Sequence, residues 1–172
     1  MLFLSAAMVS LPTASAGGDS IRAFYQAHGS IIVLQQVIGA AALIPLFLFA
    51  LSIKKQWVFA SALFIAAAEL ATNIVPLMIV ITSPGADGAH NLTQIEDLAD
   101  AALFVGIALF LDFASRAEIY WVRWIAVAAA AICLMRAIVS PLEIQYLDAI
   151  APLAFILVVI LLSVRMLIRK PA

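Results

Sequence analysis

Trp57 to Thr82 reads WVFASALFIAAAELATNIVPLMIVIT, and its one ionisable side chain is Glu69. A bilayer core of about 30 Å takes about 20 apolar residues in helical form, so this stretch alone is long enough to cross it. Four further stretches have the same character: about Ile31 to Ser52, about Thr93 to Ser115, Ile119 to Ser140, and about Leu147 to Leu167. The 172 residues are 66% hydrophobic and 11% charged, with a mean hydropathy of +1.17. Soluble domains are about half apolar and about a quarter charged. A water-soluble fold of this size has too little interior for so much apolar surface. The reading is therefore an all-α transmembrane bundle of five full spans plus a short apolar N-terminal segment. Short connections make successive helices antiparallel neighbours.

Charge placement orients the bundle. Alternating spans put Lys54, Lys55, Arg116, Arg123, Arg165, Arg169 and Lys170 on one side, which the positive-inside rule assigns to the cytoplasm together with the C-terminus. Arg22 falls in an opposite-side loop and Arg136 inside a helix. Asp19, Asp87, Glu96, Asp97, Glu143 and Asp148 fall on the outer side. Trp57, Trp121 and Trp124 come out near the inner interface, where aromatic belts form.

Residues 1–16 form the apolar N-terminal segment. Met1 to Leu11 is too short to span, and Ala14-Ser15-Ala16 has the A-x-A form of a signal-peptidase site. It reads either as a signal peptide or as the outer end of a first helix. Residues 17–30 read as an interfacial helix on the outer surface: Ile21, Phe24, Tyr25 and His28 share one face, and Gly29 ends it. Residues 31–172 make the membrane bundle. Thr93 to Glu96 and Ser140 to Glu143 fit capping boxes at the starts of two helices. Pro45, Pro76 and Pro152 lie inside spans, where each removes a backbone donor.

An ionisable side chain inside a membrane is a functional candidate by default, because burying it costs roughly 2.5 kcal/mol or more. Glu69 lies about 18 Å of helix rise beyond Trp57. Asn73 lies one turn further on the same face, and Ala62 and Ala66 continue that face inward. Glu69 is expected to be a neutral hydrogen-bond donor across a helix interface, with Asn73 close by. Asp100 and Arg136 lie at matched depths in consecutive antiparallel helices, so an ion pair is expected. Gln35 and Gln36 lie at a comparable outer depth. The candidate binding or proton-path residues are thus Glu69, Asn73, Asp100, Arg136, Gln35 and Gln36.

Other chemistry is poorly represented. There is one cysteine, Cys133, which excludes an internal disulfide and a cysteine-cluster metal site. His28 and His90, with Asp87 or Glu96 nearby in sequence, lack metal-ligand spacing. No metal, cofactor or catalytic residue is expected, since no nucleophile–base set or phosphate-binding glycine loop is present. The net charge of −1 leaves no footprint for nucleic acid. The expected partners are the lipid bilayer and other membrane subunits or a second copy. Two functions compete: a non-enzymatic structural or accessory membrane protein with a buried polar network, and a small proton-coupled carrier that uses Glu69.

Two short patterns, Phe24-Tyr25-x-x-His28 before a span and Glu69 within Ala66 to Ala71, resemble those of bacterial multi-pass inner-membrane proteins of unknown activity. That group typically has six spans. The resemblance implies that Met1 to Leu11 is the remnant of a first helix, and it implies no activity.

Overall fold

The computed structural model describes residues 9–139 and 145–168. Five helices, each long and apolar enough to cross a membrane, make up almost all of it. They are α1 (Gly18–Ile53), α2 (Gln56–Thr82), α3 (Ala86–Ser115), α4 (Tyr120–Val139) and α5 (Gln145–Ile168). There is no strand among the described residues. The expected capping box at Ser140 to Glu143, residues 1–8, and Arg169 and Lys170 lie outside the described residues.

α3 is the hub. It packs against each of the other four helices, while α1 pairs with α2 and α4 pairs with α5. Small side chains recur through the interior, where Ala42, Ala62, Ala66, Ala108, Ala126, Ala129 and Ala151 are buried alongside Phe104, Phe110 and Leu111. The outward faces carry further large ones, as Leu34, Val37, Ile44, Leu48 and Leu51 do along α1. Small residues let helix axes approach, and a continuous apolar exterior suits lipid rather than water. Gly106 shows the closeness required. A Cβ added there would sit 2.8 Å from Phe64 Cδ1 and 3.0 Å from Ile65 Cγ1 on α2.

The antiparallel order gathers Lys54, Lys55, Arg116, Arg123 and Arg165 at one end of the bundle. Arg116 pairs there with Asp112 at 2.6 Å, and Arg165 with Glu118 at 3.5 Å. Trp57, Trp121 and Trp124 are exposed around the same end.

The opposite end differs from the sequence-based expectation in two places. No break occurs at Gly29: the segment read as a separate interfacial helix is continuous with the first span in one 36-residue helix. Gly29 lies where α1 passes Val80 of α2, and an added Cβ would be 3.3 Å from Val80 Cγ1, a tight contact that the valine would have to yield to by a few tenths of an ångström. The glycine sits at a helix contact inside a continuous helix and does not end it. At 1.5 Å per residue α1 is about 54 Å long, so its first turns extend beyond a hydrocarbon core of about 30 Å.

Thr93 is not an N-cap either. α3 starts seven residues earlier in sequence, at Ala86, after the turn made by Pro84 and Gly85. Thr93 is fully buried, and its hydroxyl donates to the Ala89 carbonyl at 3.0 Å. That back-bond satisfies a mid-helix threonine without any cap.

The first turns of α1 and α3 pack with the last turns of α2 and make a second small core of Ile21, Tyr25, Ile32, Val75, Ile79 and Ala89. Val9 and Leu11 of the N-terminal segment pack against it, and Ala14–Ala16 form a single 3-10 turn. The Tyr25 hydroxyl donates to Glu96 Oε2 at 3.2 Å, and the Ala14 amide donates to Asp97 Oδ2 at 3.0 Å. This cap fixes the ends of α1 and α3 above the polar side chains described next.

Replacing Gly106 by Ala is expected to destabilise the bundle by about 1–3 kcal/mol, because α2 and α3 must separate to admit the methyl group. Thermal unfolding in detergent measures it, and an unchanged midpoint contradicts the close α2–α3 contact.

Candidate functional site

Glu69 is held by the sequence that follows it. Pro76 cannot donate to the carbonyl four residues earlier, and the turn before it is rich in polar side chains. Thr72 Oγ1 donates to the Glu69 carbonyl at 2.8 Å, and Asn73 Nδ2 donates to the same oxygen at 2.7 Å. Asn73 Nδ2 also reaches Glu69 Oε1 at 3.3 Å. These bonds anchor the Asn73 amide over the Glu69 carboxyl. Both side chains are buried, with Glu69 6% exposed.

The sequence-based expectation of Asn73 as a close neighbour is met on α2 itself. The hydrogen bond formed by the Glu69 carboxyl is therefore within its own helix and not across an interface. What faces the pair from α1 is Gly39, which sequence reading did not single out. A Cβ on Gly39 would lie 2.8 Å from Asn73 Oδ1 and 3.0 Å from Glu69 Oε1. Gly39 opens the run Gly39-Ala40-Ala41-Ala42, a small-residue stretch of the kind that lets helices approach. That run was the available signal. Gln36, one turn before Gly39 on α1, is buried. Gln35 is half-buried, and its Oε1 atom is buried without a hydrogen-bond partner.

The second pair joins α3 to α4. Arg136 Nη2 donates to Asp100 Oδ2 at 2.9 Å. Asp100 and Arg136 keep 31% and 15% of their side-chain surface exposed. Arg136 stands in the last turn of α4, where helix carbonyls favour a cation. Its guanidinium also lies over the Phe104 ring, 5.0 Å from the centroid, one turn along α3 from Asp100. Asp100 is within electrostatic reach of Glu69, which connects the two pairs.

Below Glu69 runs a cavity of about 190 Å³. α1 lines it with Ala42, Leu43, Pro45, Leu46 and Phe49. α2 contributes Ile65 and Glu69, α3 contributes Leu103 and Ile107, and α5 contributes Phe155 and Val159. Glu69 is the polar member of this wall. α1 and α5 both pack on α3 but do not form a packed pair, so the cavity lies in the gap between them.

Cys133 and the two histidines make local contacts. Cys133 is fully buried, with its Sγ 3.8 Å from the Ala151 carbonyl. His90 pairs with Gln94 at 3.1 Å, and His28 bonds the Phe24 carbonyl at 3.0 Å. Among the described residues, no three His, Cys, Asp or Glu side chains gather as a metal site.

Comparison with protein-family models, with curated proteins and with solved structures found no match.

Truncating Arg136 to Ala is expected to cost about 1–3 kcal/mol, because Asp100 is left without its guanidinium in a poorly solvated place. Removing both, as Asp100→Ala/Arg136→Ala, should cost less than Arg136→Ala alone. Equal thermal stability of Arg136→Ala and the unaltered protein in detergent contradicts the pairing.

Proposed function

We propose that this chain is an integral membrane protein without catalytic chemistry of its own, acting as a structural or accessory component through a buried polar network. The observation that carries this reading is how the in-span polar groups are used. Arg136 of α4 is paired with Asp100 of α3, while Asn73 and Glu69, bonded to each other within α2, pack against Gly39 of α1. The inter-helix pair and this close polar contact fix the rotation and register of helices that alanine faces alone would leave free to slide. The broad lipid-sized exterior suits a bilayer and a neighbouring membrane subunit or a second copy. The basic end and its tryptophans favour a bacterial inner membrane with that end, and the C-terminus, in the cytoplasm. The patterns around Tyr25 and Glu69 support placing the chain beside the multi-pass bacterial proteins that it resembles.

A second reading, a small proton-coupled carrier, is favoured by one observation: the cavity ends on the Glu69 carboxyl. Prolines in α1, α2 and α5 give three helices points at which to bend.

Glu69→Gln separates the two. The amide keeps the volume and hydrogen-bonding capacity of the acid, so thermal stability should change by less than about 1 kcal/mol on either reading. On the structural reading, vesicles containing the protein show the same proton uptake before and after the substitution. Loss of a proton uptake that the unaltered protein supports would replace that reading with the carrier. For orientation, a reporter fused after Ala172 should be active only when it is a cytoplasmic type. Activity of an exported type contradicts the assigned sidedness.

A further inference from the structure

The wall of the cavity is ten apolar side chains and one carboxyl. Hydrocarbon alone would not need the carboxyl, and a water-filled path would need more polar groups than one. From Ala42 to Phe49 the slot follows two turns of α1, about 10 Å. Glu69 lies at its outer end and Phe49 at its inner end. Phe49 and Phe155 face the space from opposite sides of the gap. They are joined through Phe110, with ring centroids 6.0 Å and 6.4 Å apart. Among the described residues, no cationic side chain lines the slot.

We propose that this slot is a binding site for a lipid-soluble organic monocation about one aromatic ring in size, with the ammonium at Glu69. Size, charge and access all point to this class. An apolar cavity of about 150 Å³ accommodates benzene, and this one measures about 190 Å³. A carboxylate buried among apolar groups is stabilised by an opposite charge placed beside it. With the ammonium at Glu69, the Phe49 and Phe155 rings toward the other end of the slot offer packing for the aromatic part of the ligand. The gap between α1 and α5 gives entry from the lipid, where such a cation partitions.

A proton and the cation then compete for one carboxyl. When the cation enters, the carboxyl proton leaves to water, and no other group need change. The groups facing Glu69 among the described residues are few. α1 presents Gly39 and the neutral Gln36, and α2 itself presents Asn73. α3 presents Asp100, which adds negative potential and whose carboxylate holds Arg136 of α4. α5 presents Phe155 and Val159, neither of which titrates. The site deepens the carrier reading but rests only on the cavity and Glu69, since binding without transport satisfies it.

The test uses the whole protein in detergent or nanodiscs and two probes of one shape. Benzyltrimethylammonium carries a permanent charge, so pH acts on the protein alone. Neopentylbenzene is its neutral counterpart. The expected result is saturable binding of the cation, tighter than of the hydrocarbon by about tenfold or more. That binding should weaken as pH falls, approaching about tenfold per pH unit once the proton dominates. Glu69→Gln should abolish both the preference for the cation and the pH dependence. Val159→Phe, which fills the slot and leaves Glu69 in place, should weaken both probes and keeps the test decisive if Glu69→Gln fails to fold. Equal binding of the two probes, or binding unaffected by Val159→Phe, overturns the site. Cation binding that meets these conditions without movement of benzyltrimethylammonium driven by a pH gradient in vesicles confirms the site and removes the carrier reading.

Discussion

A guanidinium within a membrane helix demands a partner, and the pairing of Arg136 with Asp100 meets that demand between α3 and α4. Few interactions in an apolar bundle distinguish one rotation of a helix from another. Alanine packs on alanine in many registers, whereas a charged pair at 2.9 Å permits one. The stacking of the same guanidinium over Phe104 tightens that choice, because Phe104 and Asp100 are one turn apart on α3. Since α3 touches every other helix, fixing α4 against it positions the pair α4 and α5 as a unit. α1 and α2 are fixed on the other flank by Gly39 against Asn73 and Glu69. The gap left between the two flanks, floored by α3, is the cavity.

The cap at the end of the bundle opposite the basic residues works on the same helices. Tyr25 on α1 and Glu96 on α3 are hydrogen-bonded outside the long apolar interior, and Ile21, Ile32 and Ala89 pack around them. Tethering the ends of α1 and α3 limits how far α1 can swing from the hub. α5 packs chiefly on α3 and α4. Prolines lie within both helices that border the slot, Pro45 in α1 and Pro152 in α5.

Much of the fold was legible because the bilayer leaves few alternatives. Backbone groups in hydrocarbon must be satisfied within helices, so length and apolarity alone mark α1 to α5. The Asp100–Arg136 pair followed from depth arithmetic on adjacent helices. Two boundaries did not follow, and both failed for one reason. Gly29 and Thr93 carry strong local signals for helix ends, but tertiary packing outweighs them: Gly29 sits at a helix contact with Val80, and Thr93 satisfies its hydroxyl on its own helix. Gly39 and the cavity were illegible for a different reason. Which helix faces Glu69 depends on helix rotation, and one alanine-rich face looks much like another in sequence. Phe49 and Phe155 lie far apart in the chain, and only the arrangement around α3 brings them to one space.

Everything built around Glu69 requires that it lie at membrane depth with its neighbours on α2 facing lipid. Leu70 and Ile74 are exposed on the outside of the bundle at that level. A spin label at Leu70 in lipid vesicles reports that depth through collisions with oxygen, which concentrates in hydrocarbon, and with a water-soluble nickel chelate. Frequent collisions with oxygen and few with the chelate, the reverse of a label at Trp57, are the expected result. Collisions with the chelate at Leu70 as frequent as those at Trp57 would contradict it.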